Sequence, residues 1–139
     1  MTIERPKVRL RAEEATMGTV LVIDDSESWF SAIAVECEKA GYSAMRVSDS
    51  DEAIDFVTRQ PPLLIVVDVL IAAKAGASFI RQLRSLPSMS NTPMLLTTAG
   101  VNAKTARLAL GVTSEEIIPK NKRALETFSE KLRKLPLSA

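Results

Sequence analysis

The run Leu63-Leu64-Ile65-Val66-Val67-Asp68 decides the fold. Five apolar residues in succession, closed by a carboxylate, read as a short strand covered on both faces, as parallel sheets require. Two other runs share the form: Thr19-Val20-Leu21-Val22-Ile23-Asp24 before it and Pro93-Met94-Leu95-Leu96-Thr97-Thr98 after it. Ser43–Ser48 alternates, and Glu116–Lys120 is short and contains Pro119, so both suit the edges of a sheet. Helical patterns fill the intervals. Trp29, Ile33, Cys37 and Ala40 share a face before Gly41, and Ala53, Ile54 and Val57 lie in Ser50–Gln60 before Pro61-Pro62. Phe79, Ile80, Leu83 and Leu86 precede Pro87, and Asn102–Leu110 precedes Gly111. Leu125, Phe128, Leu132 and Leu135 line a last helix with Asn121 as its N-cap. The order is (βα)5 in an α/β chain.

Outside that core lies an N-terminal arm, residues 1–17, expected to be flexible, and the domain is expected to span 18–136. A length of 139 residues suits one domain, and 46% apolar with 25% charged residues excludes a disordered chain. Eighteen Lys and Arg against 17 Asp and Glu leave a net charge of +1, which gives no general signal for polyanion binding. The single Cys37 excludes an internal disulfide, and the absence of His removes imidazole acid–base chemistry and most transition-metal sites. No apolar run approaches the roughly 20 residues of a membrane span, and Met1–Gly18 alternates charges unlike a signal peptide. The expected address is the cytoplasm, with no membrane partner.

In an open parallel sheet, ligands bind outside the carboxyl ends of the strands. The residues there are Asp24 and Asp25, then Asp68, then Thr97 and Thr98, then Lys120. An Asp after a strand is often only a cap or turn former, but that reading does not cover three carboxylates, a hydroxyl and an ammonium converging on one edge. Three carboxylates repel unless a cation stands among them. With no His and no thiolate at the rim, a hard, oxygen-preferring ion fits best, which points to Mg2+. Asp68 can then act as nucleophile toward phosphorus, giving an acyl phosphate. Lys120 supplies compensating charge and Thr98 a hydroxyl donor.

These residues resemble the receiver domain of bacterial response regulators, the two-component signalling family. The resemblance runs from about Thr19 to Leu135 and rests on Val22-Ile23-Asp24-Asp25-Ser26, on Val66-Val67-Asp68 with Gly76, on Leu96-Thr97-Thr98-Ala99, and on Ile117-Ile118-Pro119-Lys120. Intervals of 43 residues from Asp25 to Asp68, 30 to Thr98 and 22 to Lys120 agree with the family pattern. The resemblance implies a flavodoxin-like, doubly wound αβα sandwich with strand order 2-1-3-4-5. It implies that Asp68 accepts a phosphoryl group from a histidine kinase or phosphotransfer protein. It further implies that Asp25, Asp68 and the Leu70 backbone carbonyl hold Mg2+, with Asp24 acting largely through water, and that Thr98, Lys120 and the Ala99 N–H contact the phosphoryl group. Such a protein is a phosphoacceptor rather than an enzyme.

The departures fall on the output side. Ile117 stands where the family usually has an aromatic residue that moves with the threonine. Ala72 replaces a proline, Asn121 replaces another, and Thr113-Ser114-Glu115-Glu116 reads as extra loop. Leu70 and Gly100 occupy the two positions that tune dephosphorylation, and neither side chain can orient an attacking water, so a long-lived phosphoryl group is expected. Only Pro136–Ala139 follow the last helix, so the expectation is a stand-alone receiver with a protein target and no direct DNA binding, able to dimerise through the helix 4–strand 5–helix 5 face. The alternative is a constitutive interaction module with the receiver fold whose output ignores phosphorylation. An aspartyl phosphohydrolase would need an acid two residues after its nucleophile. Ser26 and Leu70 stand at that offset from Asp24 and Asp68. No Gly-rich turn follows the first strand, which excludes a dinucleotide fold. Residues 120–134 carry six Lys or Arg against two Glu, read first as a solvated face and second as a docking surface for an acidic partner.

Overall fold

A computed structural model describes residues 18–76, 78–100 and 116–135. Five strands, β1 (Thr19–Ile23), β2 (Ser43–Val47), β3 (Leu64–Asp68), β4 (Met94–Thr98) and β5 (Glu116–Pro119), form one sheet in the order β2-β1-β3-β4-β5. Every pairing is parallel. Parallel neighbours need crossovers; among the described residues these hold α1 (Glu27–Ala40), α2 (Ser50–Arg59), α3 (Val69–Ala75) and α4 (Phe79–Ser85), and α5 (Lys122–Arg133) follows β5. The expected helix at 102–110, the extra loop before Glu116 and the arm 1–17 lie outside the described residues, as does the helix 4 part of the dimer face. No helix among the described residues is long and apolar enough to cross a membrane.

The apolar strands feed two cores because alternate side chains leave opposite faces of the sheet. Leu21, Ile23, Ile65, Val67 and Leu96 meet Val57, Phe79, Leu83 and Met89 on one side. Val20, Val22, Leu64, Val66 and Leu95 meet Ile33, Cys37, Phe128 and Leu132 on the other. All residues of β3 and β4 are buried, whereas β2 is half-exposed throughout and β5 buries only Ile118. The two weaker strands are therefore the edges, and Pro119 sits where a missing N–H is tolerated.

Local signals set the helix ends. Ser26 Oγ accepts the Trp29 N–H at 3.2 Å to open α1, and Gly41, at φ 91°, closes it with its N–H toward the Cys37 and Glu38 carbonyls. Asn121 Oδ1 accepts the Ala124 N–H at 2.8 Å and opens α5 as expected. The region after β3 departs from expectation. Residues 69–75 form a helix of their own, capped by the Asp68 side chain and ended by Gly76 at φ 107°. With Ala rather than Pro at position 72, every N–H is present and nothing interrupts the turn. Past α4, Pro87–Met89 form a 3-10 turn held to the start of β4 by the Arg84 guanidinium, which donates to the carbonyls of Met89 and Thr92.

Candidate functional site

The strand register brings the sequence-predicted residues to one edge. Ile23 is level with Val47 and Val67, Asp68 with Thr97, and Thr98 with Pro119. The next residue along each of β1 and β5 is therefore Asp24 and Lys120. Asp24 is fully buried; its N–H donates to the Val47 carbonyl at 3.0 Å and its Oδ1 accepts the Ser26 N–H at 2.9 Å. Lys120 is anchored by its own N–H, which donates to the Thr98 carbonyl at 2.9 Å. Its Nζ lies 2.7 Å from Asp24 Oδ2 and 2.9 Å from Asp68 Oδ1. Asp68 Oδ2 accepts the Ile71 N–H at 3.2 Å. One ammonium thus bridges two carboxylates whose other oxygens are held by backbone.

The bridge is deep: the Lys120 side chain is 14% exposed and those of Asp24 and Asp68 are 1% and 6% exposed. Burial pulls the Lys120 pKa down, but the close carboxylates of Asp24 and Asp68 outweigh it and hold the ammonium above its ordinary value. Asp24 Oδ2 has that ammonium beside it but no aligned hydrogen bond. Two formal carboxylates against one ammonium leave the pocket with negative charge in excess.

Asp25 stands outside this buried triad. It is exposed on the turn after β1 and lines a cleft with Asp68, Ser48, Leu70 and Lys74. Thr98 is buried at the end of β4, and Ala99 is exposed just beyond it. Leu70 is 61% exposed in the first turn of α3, where its carbonyl points along the helix axis toward the C-terminal end. Ile117 is half-buried against the core on the α2 and α4 side. Trp29 packs partly buried on the opposite side, and Cys37 is fully buried with its thiol pushed up to about 12 by burial.

The donor set suits a hard divalent cation in chemistry, since every available atom is oxygen. In arrangement, no group of three or more acids among the described residues is close enough to hold a metal by itself. Asp25 and Asp68 on one cleft, with the unaligned Asp24 Oδ2 behind them, match an ion held by one or two carboxylates and completed by water and phosphate, which is the usual habit of Mg2+.

Two residues near this edge carried no signal in the sequence reading. Arg46, in β2, donates to the Asp24 carbonyl at 3.1 Å and to Ser48 Oγ at 3.2 Å, with Glu27 3.6 Å away. It clamps the turn that presents Asp24 and Asp25. Its signal was an arginine near the end of an edge strand, which reads as solvent-facing. Lys74 was equally silent, because its position depends on α3 being a helix.

Comparison with known proteins agrees with this geometry. The family model described as the response regulator receiver domain matches residues 20–131. The chain is 35% identical over 80 residues to the alkaline phosphatase synthesis transcriptional regulatory protein PhoP of Bacillus subtilis, covering 58% of this chain and 32% of that protein. It is 28% identical over 116 residues to the response regulator MprA of Mycobacterium leprae, covering 84% of this chain and 50% of the relative. The chain spans half or less of the length of these curated relatives. Among solved structures, the chemotaxis response regulator CheY4 of Vibrio cholerae superposes with a TM-score of 0.67 at 25% identity, over 84% of this chain and 99% of that one. A response regulator from Thermotoga maritima gives 0.67 at 24% identity, over 83% and 96%.

Proposed function

The chain belongs to the response regulator receiver domain family, and from that premise we propose that it takes a phosphoryl group onto Asp68 and signals through contact with a partner protein. The observation that carries this reading is the Lys120 ammonium lying between Asp24 and Asp68 at 2.7 and 2.9 Å on the carboxyl edge of the sheet. None of the 139 residues is a histidine, so a phosphohistidine donor lies outside these residues, on a histidine kinase or phosphotransfer domain.

In the transfer, a carboxylate oxygen of Asp68 forms a bond to phosphorus as the bond from phosphorus to the donor nitrogen breaks. The electron pair leaves on the imidazole. Lys120 holds Asp68 Oδ1, and the Ile71 N–H holds Oδ2, so the nucleophile is oriented before the donor arrives. Lys120 also offsets the charge that develops on the phosphoryl oxygens. Asp25, Asp68 and Asp24 are the residues that would hold Mg2+, which when bound would neutralise phosphoryl charge. The Leu70 carbonyl, directed along α3, is the weakest member of the expected ligand set. Thr98 and the Ala99 N–H, at the end of β4, are the proposed further contacts of the phosphoryl group. Ile117 is half-buried against the core, so the proposed signal does not use a swinging aromatic ring.

The test is intact mass of the full chain after incubation with Mg2+ and acetyl phosphate. The wild type should gain one phosphoryl group and Asp68→Asn none, with a change in Trp29 fluorescence only in the wild type. After the donor is removed, the group should decay slowly, because neither exposed Leu70 nor Gly100 can orient an attacking water. A wild type that gains nothing, or an Asp68→Asn chain that gains as much, overturns the proposal in favour of the constitutive interaction module.

A further inference from the structure

We infer that Lys74 is the cation that receives the donor's phosphoryl anion at the mouth of the Asp68 cleft. The inference rests on Asp68 being the acceptor and adds the means by which an anion approaches it. A phosphodonor brings negative charge to a cleft whose lining already includes Asp25, Asp49 and Asp68. Lys120, at the floor, is committed to Asp24 and Asp68, so its field toward solvent is largely cancelled. Beside the Mg2+ that those carboxylates would hold, a side-chain cation at the mouth adds attraction, and among the described residues Lys74 is the one that lines the cleft.

The placement follows from α3 being a helix. Residues 70, 71, 74 and 75 line the cleft together, and that spacing is one helical face. The other face is anchored, since Val69 and Ala72 are buried. Lys74 lies six residues beyond Asp68, about 9 Å along the axis. Its Cα–Cβ bond tilts toward the N-terminal end of the helix, so the flexible stem leans back toward Asp68. The side chain is exposed, and among the described residues it pairs with no carboxylate. Its charge is therefore available. The ordinary alternative is a cation at the end of α3 that steadies the helix dipole and does nothing for the donor.

The two roles separate in donor kinetics. Initial rates of Asp68 phosphorylation are measured on the full chain with Mg2+ across concentrations of acetyl phosphate and of phosphoramidate, for the wild type and for Lys74→Arg, Lys74→Ala and Lys74→Glu. The half-saturating donor concentration should rise about two- to fivefold in Lys74→Ala, the range of an exposed charge pair, and further in Lys74→Glu. Lys74→Arg should stay near the wild type, and kcat should be unchanged in all four. Added salt should weaken donor binding in the wild type and much less in Lys74→Ala. Equal half-saturation in wild type and Lys74→Glu, or a fall in melting temperature with no kinetic change in Lys74→Ala, overturns the inference while leaving Asp68 as acceptor. A wild type that takes no phosphoryl group from either donor overturns the acceptor reading and this inference together.

Discussion

At the scale of single residues, Lys120 holds the site together. Replacing it with Met preserves length and removes the charge. Asp24, fully buried, and Asp68, nearly so, are then left without their cation. Losing one partner of a buried ion pair destabilises by about 3–5 kcal/mol, and urea unfolding of Lys120→Met at neutral pH should show a loss of that order. The pH dependence has a definite sign. The folded-state pKa of Lys120 is raised above its ordinary value of 10.5, so its contribution is whole below that value and disappears as pH climbs through the higher folded one. The gap between wild type and variant should stay level from about pH 7 to about pH 9 and close only in stronger alkali. The residues of this site were legible because each one ends an apolar run, where a polar side chain has no core to fill. Arg46 was not, since the same side chain in an edge strand is equally consistent with plain solvation.

At the scale of elements, the strands were legible to within a residue and α3 was not. Leu63, Asp24 and Pro93 were expected inside strands that begin or end one position away. Such margins follow from hydrogen-bond geometry at the ends, which periodicity does not encode. α3 was missed because its cap is Asp68 itself, a residue whose value at a strand end concealed its second use. At seven residues it is also too short to show a period. The helical pattern Phe79 to Leu86 ends before Pro87 as expected: α4 runs to Ser85 with Leu86 as its C-cap, and the fixed φ of Pro87 starts the 3-10 turn. Gly41 is the stop for α1 that the sequence predicts. Its φ of 91° disfavours a side chain, so Gly41→Ala should lower stability by about 1 kcal/mol in urea. Phosphorylation of Asp68 should be unaffected, because the substitution lies at the opposite end of α1 from Ser26.

At the scale of the whole molecule, one sheet separates two cores that, among the described residues, share no side chain. Leu83 belongs to the core on the α2, α3 and α4 side, and Ile33 to the core beneath α1 and α5. Both are fully buried or nearly so. Leu83→Ala should cost about 2–5 kcal/mol and Ile33→Val about 0.5–1.5 kcal/mol. The double variant should equal their sum within about 0.5 kcal/mol, as read from denaturant midpoints. A larger discrepancy would mean that the sheet transmits strain between its faces.

The two-sided burial of β1 has a consequence for how the chain finds its alignment. In a strand with one wet face, a slip of one residue exposes apolar side chains and is rejected on that ground. Val20 to Ile23 are buried on both faces, so such a slip would exchange one apolar side chain for another and hydrophobicity alone would scarcely resist it. What resists is the charge at the end. Sliding β1 forward or back would draw Asp24 off Lys120 or carry it into the sheet among Val47 and Val67. The acid that prepares the pocket is also the detent that stops β1 at its proper notch.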